Sequence, residues 1–91
     1  MRVELHENVV SVDYLEDSTL HYFTYATEWT DREHVLDFET PEKAIEWYKK
    51  NLTDRCIDQG KWWAHEDGEE NIDDDEAMNE WENIVDCVMY C

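Results

Sequence analysis

A single step in this chain, Thr40–Pro41, separates two hydrophobic periods. Before it, Val10, Val12 and Tyr14 alternate with Ser11 and Asp13, and His34, Leu36 and Phe38 occupy every second position. A period of two belongs to half-buried strands. After it, Ala44, Ile45, Tyr48 and Leu52 recur at three- and four-residue spacing, the apolar stripe of a helix. Thr40 is a good N-cap, Pro41 suits the first helical position, and Glu42 complements the positive end of the helix dipole. Strands must therefore come first and helices after, which selects an α+β domain.

The segment from Leu20 to Trp29 is dense in residues that suit a pleated surface. It sorts into His21, Phe23, Tyr25, Thr27 and Trp29 on one face and Leu20, Tyr22, Thr24 and Ala26 on the other. With Val10–Tyr14 it forms an antiparallel hairpin across Glu16-Asp17-Ser18, which lacks Gly and so predicts a loop longer than two residues. Thr30-Asp31-Arg32 reads as the next turn, and Val3 and Leu5 as an extension of the first strand. One helix is expected over about 41–59, with Lys49 and Lys50 near a plausible C-terminal end and nothing forbidding continuation to Gly60. Lys61-Trp62-Trp63-Ala64-His65 is expected as an edge strand or packed loop. A polar acidic loop over 66–72 surrounds Gly68. A last helix over about 74–90 starts with Asp73 as N-cap and Glu76 three residues on, a capping box. Its stripe is Ala77, Trp81, Ile84, Val85 and Val88, with Met78 at the margin. The expected whole is one domain over 1–91. An antiparallel sheet of three or four strands, with the hairpin and third strand at about 8–38, is covered on one face by two helices.

Charge constrains function more than fold. Seven Lys and Arg face 25 Asp and Glu in 91 residues, a net charge of −18. After Lys61 there is no Lys or Arg, yet eleven carboxylates follow: Glu66, Asp67, Glu69, Glu70, Asp73, Asp74, Asp75, Glu76, Glu80, Glu82 and Asp86. Such self-repulsion opposes folding, so a compact chain that keeps it has use for a cationic partner. Direct nucleic-acid binding needs Lys and Arg to displace counterions and is not expected. An anionic leaflet repels this surface, and no apolar run suits a signal peptide or a membrane span. Three cysteines, Cys56, Cys87 and Cys91, fit free thiols in a reducing cytoplasm. Five Trp, five Tyr and two Phe are too many for a disordered acidic tail.

Helix positions four apart bring Cβ atoms to roughly 5–6 Å, and the phosphates of one DNA strand rise about 3.4 Å per step. Asp73, Asp74, Asp75, Glu76 and Glu80 are therefore the first candidates for a row of phosphate-like charges, with Glu66, Asp67, Glu69 and Glu70 next. Trp62, Trp63 and Trp29 would add apolar anchors if exposed beside them. The competing account is a merely solvated acidic face. No cofactor or metal is expected. His65–Glu70 lacks the ligand order of a calcium loop, and the Cys87/Cys91 pair lacks a second pair for zinc. No Gly-rich phosphate loop or G-x-S-x-G motif suggests an enzyme.

A hairpin followed by Asp37-Phe38-Glu39-Thr40-Pro41-Glu42-Lys43-Ala44-Ile45-Glu46-Trp47-Tyr48, and then the acidic stretch Glu69 to Glu82, resembles phage-encoded inhibitors of host defence. These are the anti-CRISPR proteins and anti-restriction DNA mimics. The likeness is one of size, charge and architecture. It implies a stoichiometric, non-enzymatic inhibitor in the host cytoplasm. Such an inhibitor occupies the Lys/Arg-lined nucleic-acid channel of a ribonucleoprotein effector or restriction enzyme. Two other readings stay open. One is an adaptor or assembly module docking through Phe23, Tyr25 and Trp29; the other is an antitoxin or immunity protein covering a basic nuclease. The aromatic strand also raises a homodimer.

Overall fold

The computed structural model describes residues 2–25 and 31–90. Four antiparallel strands, β1 (Arg2–Glu7), β2 (Val12–Glu16), β3 (Thr19–Tyr25) and β4 (Asp31–Asp37), form one sheet in sequence order. Three helices follow: α1 (Pro41–Asn51), α2 (Thr53–Glu66) and α3 (Asp74–Tyr90). The class is α+β, as the change of period predicts, with three helices in place of two.

Several local expectations change. Val3 and Leu5 belong to a separate strand, β1, paired with β2. The β2–β3 hairpin closes in two residues, because Glu16 pairs with Thr19. Asp17 supplies the left-handed turn conformation at φ 55°, which aspartate visits more readily than most residues. Asp31 and Arg32 lie in β4, opposite Tyr25 and Thr24, not in a turn. Thr27, Trp29 and Thr30 lie outside the described residues.

The sheet's inner row runs Val3–Leu15–Leu20–Leu36 across all four strands. Its outer row includes Tyr14, His21 and Val35. Tyr14 stacks on His21 at 4.4 Å, and the Arg2 guanidinium lies 3.9 Å above the Tyr14 ring. This inverts the phase expected for β2. Asp13 and Leu15 point inward, while Val12 and Tyr14 are only half-buried and Val10 is exposed. The cause is Asp13, whose carboxylate accepts the Tyr48 hydroxyl at 2.8 Å, the Phe23 N–H at 2.9 Å and Arg55 at 2.6 Å. A charge with three such donors can be buried where an unpaired one could not. In β1 the register shifts between Glu4 and His6, and the bulge turns both Leu5 and His6 inward. The Leu5 carbonyl accepts the Trp81 indole N–H at 2.7 Å.

The Thr40 hydroxyl accepts the Lys43 N–H at 3.2 Å, and α1 buries Ala44, Ile45 and Tyr48. The helix expected over 41–59 is in fact two. Leu52 leaves helical geometry at φ −124°, ψ 43°, the Thr53 hydroxyl donates to the Lys49 carbonyl, and α2 then continues through Trp62 and Trp63. The segment Lys61–His65, expected as an edge strand or packed loop, is therefore helical. Gly60 lies inside α2 because α3 crosses there: a Cβ at Gly60 would sit 2.0 Å from the Ala77 carbonyl oxygen. Trp81 stacks on Tyr48 at 5.8 Å and closes the core with Leu5, Leu15, Ile45 and Val85.

Burial pushes the Cys56 thiol from 9.0 up to about 12, and burial beside Asp13 pushes the Tyr48 phenol up as well. Below pH 9 both groups are protonated in either state, and their burial costs no protons. Above it the unfolded chain releases the Cys56 proton while the folded protein holds it. Stability is thus expected to fall by about 1.4 kcal/mol per pH unit between roughly pH 9 and 12, and faster once the unfolded Tyr48 also ionises. Urea midpoints across this range check it, and Cys56→Ala should flatten the first part of the decline.

Candidate functional site

Among the described residues, most of the few cations are spent inside the molecule. Arg55 meets Asp13 at 2.6 Å, Lys49 meets Glu82 at 3.2 Å, Lys43 meets Glu39 at 2.8 Å and Lys61 meets Asp74 at 2.8 Å. The Asp74 carboxylate, hydrogen-bonded to Lys61, holds that ammonium above the ordinary lysine range. What these pairs leave uncompensated is concentrated where α2 ends and α3 begins.

Gly68 organises that end. It closes α2 at φ 89°, the Gly68 N–H donates to the His65 carbonyl at 3.0 Å, and the Glu69 N–H donates to Ala64 at 2.9 Å. This is a Schellman cap, a sharper role than the centre of a loop. Asn71 makes a second left-handed turn at φ 62° before α3. Asp73 then caps α3, its carboxylate accepting the Glu76 N–H at 2.8 Å.

The structure brings the predicted acids together on this rim. Glu66, Asp67, Glu69, Glu70, Asp73, Asp74, Asp75 and Glu76 are all exposed, and Glu80 is half-buried. Their roles divide. Asp73 is a cap and Asp74 a bridge to Lys61, so both have structural work. Glu70 lies 3.6 Å from the His65 ring. Among the described residues no Lys or Arg comes within ion-pair distance of Glu66, Asp67, Glu69, Asp75 or Glu76. Glu82, outside the candidate set, is held by Lys49.

The helix dipoles separate two kinds of acid. Asp74, Asp75 and Glu76 occupy the first turn of α3, where negative charge is favourable. Glu66 and Asp67 sit at the C-terminal end of α2, where it is not, and Glu69 and Glu70 follow directly. A solvated-face account covers the first group without difficulty. It gives no reason for the second.

The aromatics also divide. Trp62 is 53 % exposed, on the same helix as Glu66, whereas Trp63 is half-buried against the core. On the outer sheet face Tyr25 is exposed and Phe23 half-buried. Among the described residues no three His, Cys, Asp or Glu side chains group to hold a metal ion, and no helix is long and apolar enough to cross a membrane. The bridge from Lys61 to Asp74 is not foreseen from the sequence, where Lys61–His65 suits an edge strand or a packed loop. No family model, curated protein or solved structure matches this chain.

Proposed function

We propose that this protein is a non-enzymatic inhibitor that occupies a basic nucleic-acid-binding surface of a host-defence complex, presenting carboxylates where that surface would hold phosphates. The observation that carries the reading is the group Glu66, Asp67, Glu69 and Glu70, exposed at the unfavourable end of a helix and without a Lys or Arg partner among the described residues. Charge retained against the fold's own electrostatics is expected where a cationic partner compensates it. Asp75 and Glu76 extend the same rim, and Glu80 contributes at its half-buried edge. The resemblance to anti-CRISPR and anti-restriction proteins supplies the target class, a CRISPR effector or restriction enzyme, and with it a cytoplasmic site of action.

The test is a cleavage assay with purified CRISPR effectors and restriction enzymes. Glu69→Gln/Glu70→Gln/Asp75→Asn/Glu76→Gln spares the Asp73 cap and the Asp74 bridge. It is expected to weaken inhibition by at least on the order of tenfold at low salt, chiefly through slower association. Its thermal stability should stay close to that of the parent, because relief of repulsion at Glu69 and Glu70 offsets the loss of the favourable dipole interactions of Asp75 and Glu76. Undiminished inhibition would transfer the role to the outer sheet face, where Tyr25 and Val35 are the exposed apolar residues.

A further inference from the structure

The tip of the β1–β2 hairpin is unlike the rest of the surface. Val9 is 101 % exposed and Val10 74 % exposed, two β-branched residues where turns ordinarily carry Gly, Asn or Asp. The tip lies against α2, and the groove between them is lined by Glu7, Asn8, Val9, Asp58, Trp62 and Glu66. Its apolar surface is Val9 and Trp62, and three carboxylates surround them.

We propose that this groove is the apolar anchor point of the protein's interface, receiving an apolar side chain from a lysine- or arginine-bearing segment of a partner protein. The inference rests on the cationic partner proposed above and names where that partner is gripped beyond charge alone. Three observations carry it. First, the exposed valines contribute nothing to the core, so their apolar surface has no use within this chain. Second, Glu7, Asp58 and Glu66 are all exposed around the groove, so a segment flanked by cations is attracted there and an anionic one is repelled. Third, the groove is already built. The Gln59 side chain accepts the Glu7 N–H at 2.8 Å and His6 meets Asp58 at 3.2 Å, tying the hairpin to the helix. The Asn8 side-chain oxygen Oδ1 accepts the Val10 and Ser11 N–H groups, each at 2.9 Å, and fixes the tip. A preformed site loses less entropy on binding than one that must be ordered. Nucleic acid is a poor occupant because its phosphates would meet the three carboxylates.

Two synthetic peptides of equal length and charge test this, one alternating lysine with leucine and the other lysine with serine. Titrated calorimetrically, the leucine peptide is expected to bind at least about tenfold more tightly, a difference of about 1.4 kcal/mol. That preference should vanish in Val9→Ser/Val10→Ser and, separately, in Trp62→Ser. Because all three side chains are exposed, both variants should melt with the parent protein, and melting curves verify this. Equal binding of the two peptides, or a preference that survives either variant, overturns the proposal. A leucine preference lost in both variants supports the anchor even if no nuclease is inhibited, so its failure and that of the inhibitor reading are separate results.

Discussion

Asp13→Ala is expected to destabilise the protein by about 3–5 kcal/mol, the range found when one partner of a buried ion pair is removed. Native domains hold only about 5–15 kcal/mol in total, so the variant should be poorly folded at room temperature. The carboxylate has no solvent exposure, and three groups donate to it from three elements: Phe23 of β3, Tyr48 of α1 and Arg55 of α2. Its removal strands a buried phenol and a backbone N–H, and leaves the Arg55 side chain, only 25 % exposed, without its partner. Urea denaturation measures the loss. Asp13→Leu/Arg55→Met should recover part of it, because a buried pair can be exchanged for apolar packing at little cost once both charges are gone. A loss below about 1 kcal/mol for Asp13→Ala would mean that the network does not organise the fold.

Gly60→Ala is the second large effect. In an exposed helix this exchange stabilises, by up to about 1 kcal/mol. Here it is expected to destabilise by about 3 kcal/mol, the upper part of the range for overpacking. The new Cβ would lie 2.0 Å from the Ala77 carbonyl oxygen and 2.7 Å from its carbon. Both are backbone atoms of α3 and cannot rotate away, so α2 and α3 must separate. That movement loosens Ala64, Ala77 and Trp81, and shifts the helix ends that carry the acidic rim. On the proposed inhibitor role, inhibition should therefore fall together with the melting temperature. A neutral or stabilising substitution would show that the two helices are not in this close approach.

The sequence made the strand-to-helix transition at Thr40–Pro41 and the start of α3 legible, because local capping chemistry determines both. It did not show the phase of β2. Alternation gives a period but not which face is inward, and Asp13 is drawn in by Arg55, 42 residues away. The break at Leu52 was half legible: Lys49 and Lys50 mark a plausible helix end, but nothing in the sequence forbids continuation to Gly60. Leu52 continues the apolar stripe of α1 and carries no helix-breaking residue before or after it, so the bend belongs to tertiary packing. The aromatic pair Trp62-Trp63 suggested an edge strand or a packed loop through β propensity. A helical signal was nonetheless present in Cys56, Gly60 and Ala64, small residues four apart that all become buried. Exposure of the acidic rim followed from composition, whereas its division into cap, bridge and unpaired charge needed the partners' positions. Trp29, one expected anchor, lies outside the described residues.

The most direct test of the charge-mimicry account is competition. CRISPR effectors and restriction enzymes are each loaded with labelled double-stranded DNA and titrated with this protein at low and high salt. The account predicts that at least one of them releases its DNA as the protein binds, and that the displacing affinity weakens steeply as salt rises. A ternary complex that keeps its DNA, or an affinity indifferent to salt, would contradict it.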